Sequence, residues 1–93
     1  MDIDMSALRM LERDKGIPME ILVNALEEAM LNAYEKTPSA VKGARVVLDR
    51  RTGRAAVYAP ELDDDGEVIG EYEDTPEGFG RVAAFTARQV IRQ

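Results

Sequence analysis

The chain has 93 residues, a formal net charge of −6, and neither cysteine nor histidine. That length holds one domain with a single core, and a composition 45% hydrophobic and 32% charged is that of a chain that folds. The missing residue types remove disulfides, thiolate nucleophiles, the usual zinc ligands and the imidazole base together. The opening Met1-Asp2-Ile3-Asp4 is acidic where a signal peptide is basic, and no apolar run approaches membrane-spanning length. A cytoplasmic location and no membrane partner are expected.

The first helix is expected over 4–14, with Asp4 as its cap, Ala7, Leu8 and Leu11 on its apolar face, and Gly16 ending it. Pro18 is placed in the first turn of a second helix over 18–36. This helix offers Met19, Leu22, Val23, Leu26, Ala29, Met30, Ala33 and Tyr34 across an apolar arc wide enough for two neighbours. Ile21 and Leu31 fall outside the arc, either covered by the first helix or forming a docking patch. Lys36-Thr37-Pro38-Ser39 stops the helix and opens a polar, mobile linker to Gly43. The period then changes to alternation. Strands are expected over 44–49 and 54–60, joined by a turn at Asp49–Gly53 and closed by Pro60, and, after an acidic loop, over 67–73. The final helix is expected over 79–93. Ala83, Ala84, Ala87, Val90 and Ile91 lie on one side of it, Arg81, Arg88 and Arg92 on the other, with Phe85 beside the arginines. Its pattern is still running at Gln93, which predicts a longer natural helix. The elements make an α+β fold: two N-terminal helices, a three-stranded antiparallel meander lying on the helices, and a long C-terminal helix.

The charges are unevenly placed. Between Pro60 and Glu77 stand nine acids and no base, and after Glu77 there is no acid. The run Glu61, Asp63, Asp65 starts like an EF-hand loop, yet Tyr72 stands where the bidentate glutamate belongs, so a solvated turn around Gly66 is expected and no metal site. Glu71 and Glu73 share the solvent face of a strand, which gives no acid–base pair in a pocket. Gly78-Phe79-Gly80 is a lone GxG without the phosphate-loop context. Ser6 and Ser39 sit in cap and linker contexts. This inventory points away from an enzyme and from any cofactor. The basic clusters are the better candidates. Arg50, Arg51 and Arg54 gather at the first hairpin turn, where charged side chains ordinarily serve solubility, and Arg81, Arg88 and Arg92 align on a helix beside Phe85, as phosphate-holding and base-stacking residues do in single-strand RNA sites and as solvated helix faces also do.

The run Asp74-Thr75-Pro76-Glu77-Gly78-Phe79-Gly80-Arg81-Val82-Ala83-Ala84, continued by Thr86-Ala87-Arg88-Gln89-Val90-Ile91, resembles the signature that closes the N-terminal domain of the NusA family of bacterial transcription termination/antitermination factors. Leu48-Asp49-Arg50-Arg51-Thr52-Gly53 and the opening Asp2–Leu8 are similar to the same domain in its actinobacterial form. The resemblance implies an RNA-polymerase-binding domain over 1–93, anchored on the flap-tip helix of the polymerase β subunit, without the OB-type barrel and two KH modules that follow it in the family. It implies that Arg81 and Arg88 face emerging RNA, with Arg92 and Phe85 on the same strip. Phe85 departs from the more usual glutamine. Ile21, Leu31, Arg50 and Arg51 are the candidates for polymerase contact. A monomeric, non-enzymatic adaptor that modulates pausing, termination and antitermination is expected. The alternative is a stand-alone regulatory module that binds an acidic or helical protein partner through the Phe85 strip.

Overall fold

The computed structural model describes residues 3–91. Helix α1 spans Met5–Lys15 and α2 spans Met19–Glu35. Asp4, in extended backbone, accepts the Ser6 N–H at 3.0 Å, and Gly16 ends α1 at φ 69°, its N–H donating to the Glu12 carbonyl. Pro18 is outside α2, not in its first turn. With ψ at 139° it is the cap residue, and its carbonyl accepts from Ile21 and Leu22. The orphan N–H of Met19 is met by Glu12 Oε2 at 2.8 Å, so a carboxylate of one helix caps the next and fixes the corner between them. The inward face of α1 also differs from the expected one. Met5 and Leu8 are buried, while Ala7 and Leu11 stay half-exposed.

The segment after α2 is pinned, contrary to the expectation of a mobile linker. Thr37 returns both its N–H and its hydroxyl to the Tyr34 carbonyl, and Ala40 packs on the core. Tyr34 itself is fully buried and works at both ends of the linker. Its hydroxyl accepts the Val41 N–H at 2.8 Å and donates to Asp74 Oδ2 at 2.9 Å. A buried phenol needs such partners, and these two tie α2 to the strand entry and to the exit of the sheet.

Strands β1 (Arg45–Leu48), β2 (Ala55–Leu62) and β3 (Val68–Glu73) form an antiparallel meander in the order β1-β2-β3. Pro60 does not close β2. It pairs with Glu71, and the strand runs on to Leu62 through a register break between Glu61 and Leu62. Proline lacks a ladder donor, which a strand tolerates next to an irregularity of this kind. The β1–β2 turn is closed by Asp49, whose carboxylate accepts the Arg51 and Thr52 N–H groups. Gly53 follows at φ 80°, and its carbonyl accepts the Ile3 N–H at 2.8 Å. At the β1 edge, Glu27 of α2 accepts the outer N–H of Leu48 at 2.8 Å, which occupies a donor that an open edge would expose.

The core lies between one sheet face and the helices. Val46, Leu48, Ala55 and Val57 meet Leu8, Val23, Leu26, Met30 and Tyr34. Helix α3 (Phe79–Ile91) packs along α2 through Ala83 and Ala87, one turn apart and both buried. Small side chains there let the two backbones approach. Phe79, in the first turn of α3, is 2% exposed and anchors the helix start, worth about 2 kcal/mol of burial. The approach to it is fixed as well: Asp74 N–H donates to the Val57 carbonyl and Thr75 Oγ1 accepts the Val57 N–H.

Candidate docking and RNA-facing surfaces

Because α3 spends its alanines on α2, its other side is free for function. Arg81, Phe85 and Arg88 are exposed and follow i, i+4, i+7, which stacks them on one face with the two arginine Cα atoms about 10 Å apart. Phe85 is 60% exposed, and Val82 widens the strip at 40%. Among the described residues the ion pairs join Arg13 to Asp14, Arg45 to Glu71 and Arg54 to Glu73, and none of them engages Arg81 or Arg88. Two arginines thus share a helix face with an exposed ring, without an ion pair to a carboxylate among the described residues. Arg92, expected on the same strip, lies outside the described residues.

The four residues expected to meet a protein partner are not one patch. Ile21 is 58% exposed, so α1 does not cover it, whereas Leu31 is half-buried against the core. The two lie about 15 Å apart along α2 and a quarter-turn apart around it. Arg50 and Arg51 are exposed at the β1–β2 turn, held by the Asp49 carboxylate. The same backbone donors stabilise that carboxylate, and they lower its pKa below the usual aspartate range.

Two surfaces escaped the reading of the sequence. Ala7, Met10, Leu11, Asp14 and Lys15 make an open, largely apolar face on the outer side of α1, with Met10 53% exposed. The i, i+3, i+4 spacing of Ala7, Met10 and Leu11 was visible, but periodicity alone does not say which stripe of a helix faces inward. The second surface is the outer part of β2–β3, where Leu62, Val68, Ile69 and Tyr72 are all exposed. Elsewhere on β3 the acids are engaged. Arg45 makes two hydrogen bonds to Glu71, at 2.7 and 2.9 Å, while its guanidinium lies 5.3 Å from the Tyr58 ring centre, and Arg54 holds Glu73 at 2.9 Å. The Arg45 hydrogen bond lowers the Glu71 pKa, and the bonds from Arg54 and then Thr75 lower that of Glu73. Both carboxylates are therefore ionised structural partners on an open face. Asp63, at the acidic turn, accepts the Asp65 and Glu67 N–H groups.

These features define a class: a small α+β domain that carries exposed apolar and basic side chains on its helices and an exposed aliphatic end on its sheet. The sequence model of the NusA N-terminal domain matches residues 5–62. Over all 93 residues the chain is 48% identical to the transcription termination/antitermination protein NusA of Mycobacterium tuberculosis, of which it spans 27%. It is 36% identical to the NusA of Bacillus subtilis, with 96% of this chain and 30% of that protein covered. The solution structure of the N-terminal domain of B. subtilis NusA superposes with a TM-score of 0.76 at 36% identity, covering 96% of this chain and 90% of that one. The chain belongs to the NusA N-terminal domain family. It spans less than a third of the length of the curated relatives it matches.

Proposed function

We propose that this domain docks on RNA polymerase at the β-subunit flap tip and modulates pausing, termination and antitermination, acting as an adaptor without catalysis. The observation that carries the reading is the separation of two kinds of surface. Exposed apolar side chains on α1 and α2, Met10 and Ile21, suit an incoming amphipathic helix, while α3 bears Arg81 and Arg88 beside Phe85. Exposed aliphatic side chains on a helical body give affinity for a helix; guanidiniums flanking an aromatic ring suit phosphates and a stacked base of nascent RNA. Relatives named as termination/antitermination proteins support the same role.

Retention of the domain by immobilised polymerase, with and without the flap tip, tests the anchor. Retention should fall on deletion of the tip, and equal retention by both rejects it. Replacing Arg81 and Arg88 by alanine should shorten hairpin-stabilised pauses while attachment to polymerase persists, because these residues lie on the face of α3 opposite its packed alanines. An unchanged pause lifetime removes RNA contact from the account. The 60% exposure of Phe85 also favours a second reading, in which the strip binds an acidic or helical protein. Phe85→Ala separates the two: a shorter pause at equal attachment supports RNA contact, and lost protein binding supports the second reading.

A further inference from the structure

The outer end of the β2–β3 hairpin has no role in either surface above. Leu62 is 54% exposed, Val68 65% and Ile69 62%, on a strand pair where no helix covers them. The register break places Leu62 directly opposite Val68 with Ile69 as the extra residue, so the three exposed aliphatic residues are neighbours in the pairing of the two strands. Acids surround them: Glu61, Asp64, Asp65 and Glu67, all exposed, and none joined to a base by the ion pairs of the described residues. The molecule measures 50 × 23 × 21 Å. An aliphatic centre within a polar rim is the usual anatomy of a protein-binding patch, and the uniform negative charge selects the partner. Phosphate and acidic surfaces are repelled, and a surface with aliphatic side chains set among lysines or arginines is complementary.

We propose that this hairpin end is a second docking point, taking a basic, aliphatic protein surface that RNA polymerase presents outside the flap tip. The identity of the polymerase as partner rests on the function proposed above; the chemistry of the patch does not. The contact would be short-ranged through the aliphatic residues and salt-sensitive through the rim.

The test uses the fluorescently labelled chain and core polymerase, intact or lacking the flap tip, with Kd read by anisotropy. Val68→Thr with Ile69→Thr keeps β-branched side chains in the strand and should weaken binding about tenfold to both polymerases. Asp64→Asn with Glu67→Gln lies in the solvated turn region, leaves the fold intact, and should weaken binding several-fold at low salt and little at high salt. Wild-type affinity in both double variants overturns the proposal, whatever the flap deletion does. Weakening by the hairpin variants with no effect of the flap deletion upholds the hairpin and rejects the flap-tip anchor. Weakening by the flap deletion alone does the reverse, and a wild-type chain that binds neither polymerase overturns both.

Discussion

Replacing Gly53 by alanine should be far more damaging than the same change at Gly66, although both glycines sit in hairpin turns with φ near 80°. At either site alanine in the left-handed region costs about 1 kcal/mol. Around Gly66 nothing lies within 4 Å of an added Cβ, so the cost ends there. At Gly53 the new carbon would overlap the Ile3 carbonyl, and the segment that carries Ile3 must leave. With it go the Ile3 N–H to Gly53 carbonyl bond, worth about 1 kcal/mol, and the burial of an isoleucine that is 5% exposed, worth about 2 kcal/mol. The total is about 4 kcal/mol for Gly53→Ala against about 1 for Gly66→Ala. For a domain of this size each kcal/mol moves Tm by roughly 4–8 °C. Thermal unfolding followed by circular dichroism should therefore show a loss of roughly 16–32 °C for the first variant and roughly 4–8 °C for the second. Equal shifts would refute the reasoning, because they would mean that the N-terminal segment contributes nothing at this turn.

Tyr34→Phe keeps the ring and removes the hydroxyl that accepts from Val41 and donates to Asp74. Burial raises the pKa of that hydroxyl more than the Val41 N–H lowers it, and Asp74 raises it further, so it remains a donor at neutral pH. The variant should lose about 2 kcal/mol in urea unfolding, since it strands a part-buried N–H, and the amides of residues 40–42 should exchange faster; unchanged exchange would show that the linker is held by other means. Stability should begin to fall as pH drops below about 4.3, the unfolded glutamate value. The pKa values of Glu71, Glu73 and Asp49 are all depressed in the folded state. Their contribution is thus fully present above the unfolded values and is lost as pH falls through the folded ones. Glu71→Gln with Glu73→Gln should flatten that acid limb by a small amount, as suits exposed ion pairs; an identical limb would show that neither pair differs between the folded and unfolded chain.

The exposure of the two helix-borne surfaces is unequally legible in the sequence. The α3 strip followed from spacing alone, because its alanines and arginines separate cleanly at 3.6 residues per turn. Ile21 and Leu31 did not, since both are aliphatic residues on one helix and only the neighbours decide that one is 58% exposed and the other packed. At the hairpin end the acids dominate the composition and give the pattern of a polar turn, while Pro60 and Gly70, which flank the bulge, carry no local sign of which residue is the extra one; the strand pairing decides that it is Ile69.

Sequence by itself determined what depends on neighbours along the chain. Asp4 and Gly16 bound α1, Gly53 makes the first hairpin turn, the period shift after Gly43 separates helices from strands, and the element order follows. These are short-range matters of backbone sterics, capping and amphipathic period. Tertiary structure alone decided where residues distant in sequence meet. Glu12 caps α2, Glu27 occupies the β1 edge, Tyr34 joins the linker to Asp74, and Pro60 is carried through a strand by its pairing with β3. No local pattern encodes such contacts, because the first three follow from the packing of α2 against its neighbours and the last from strand pairing, and a helix face is covered or left open according to what that packing buries.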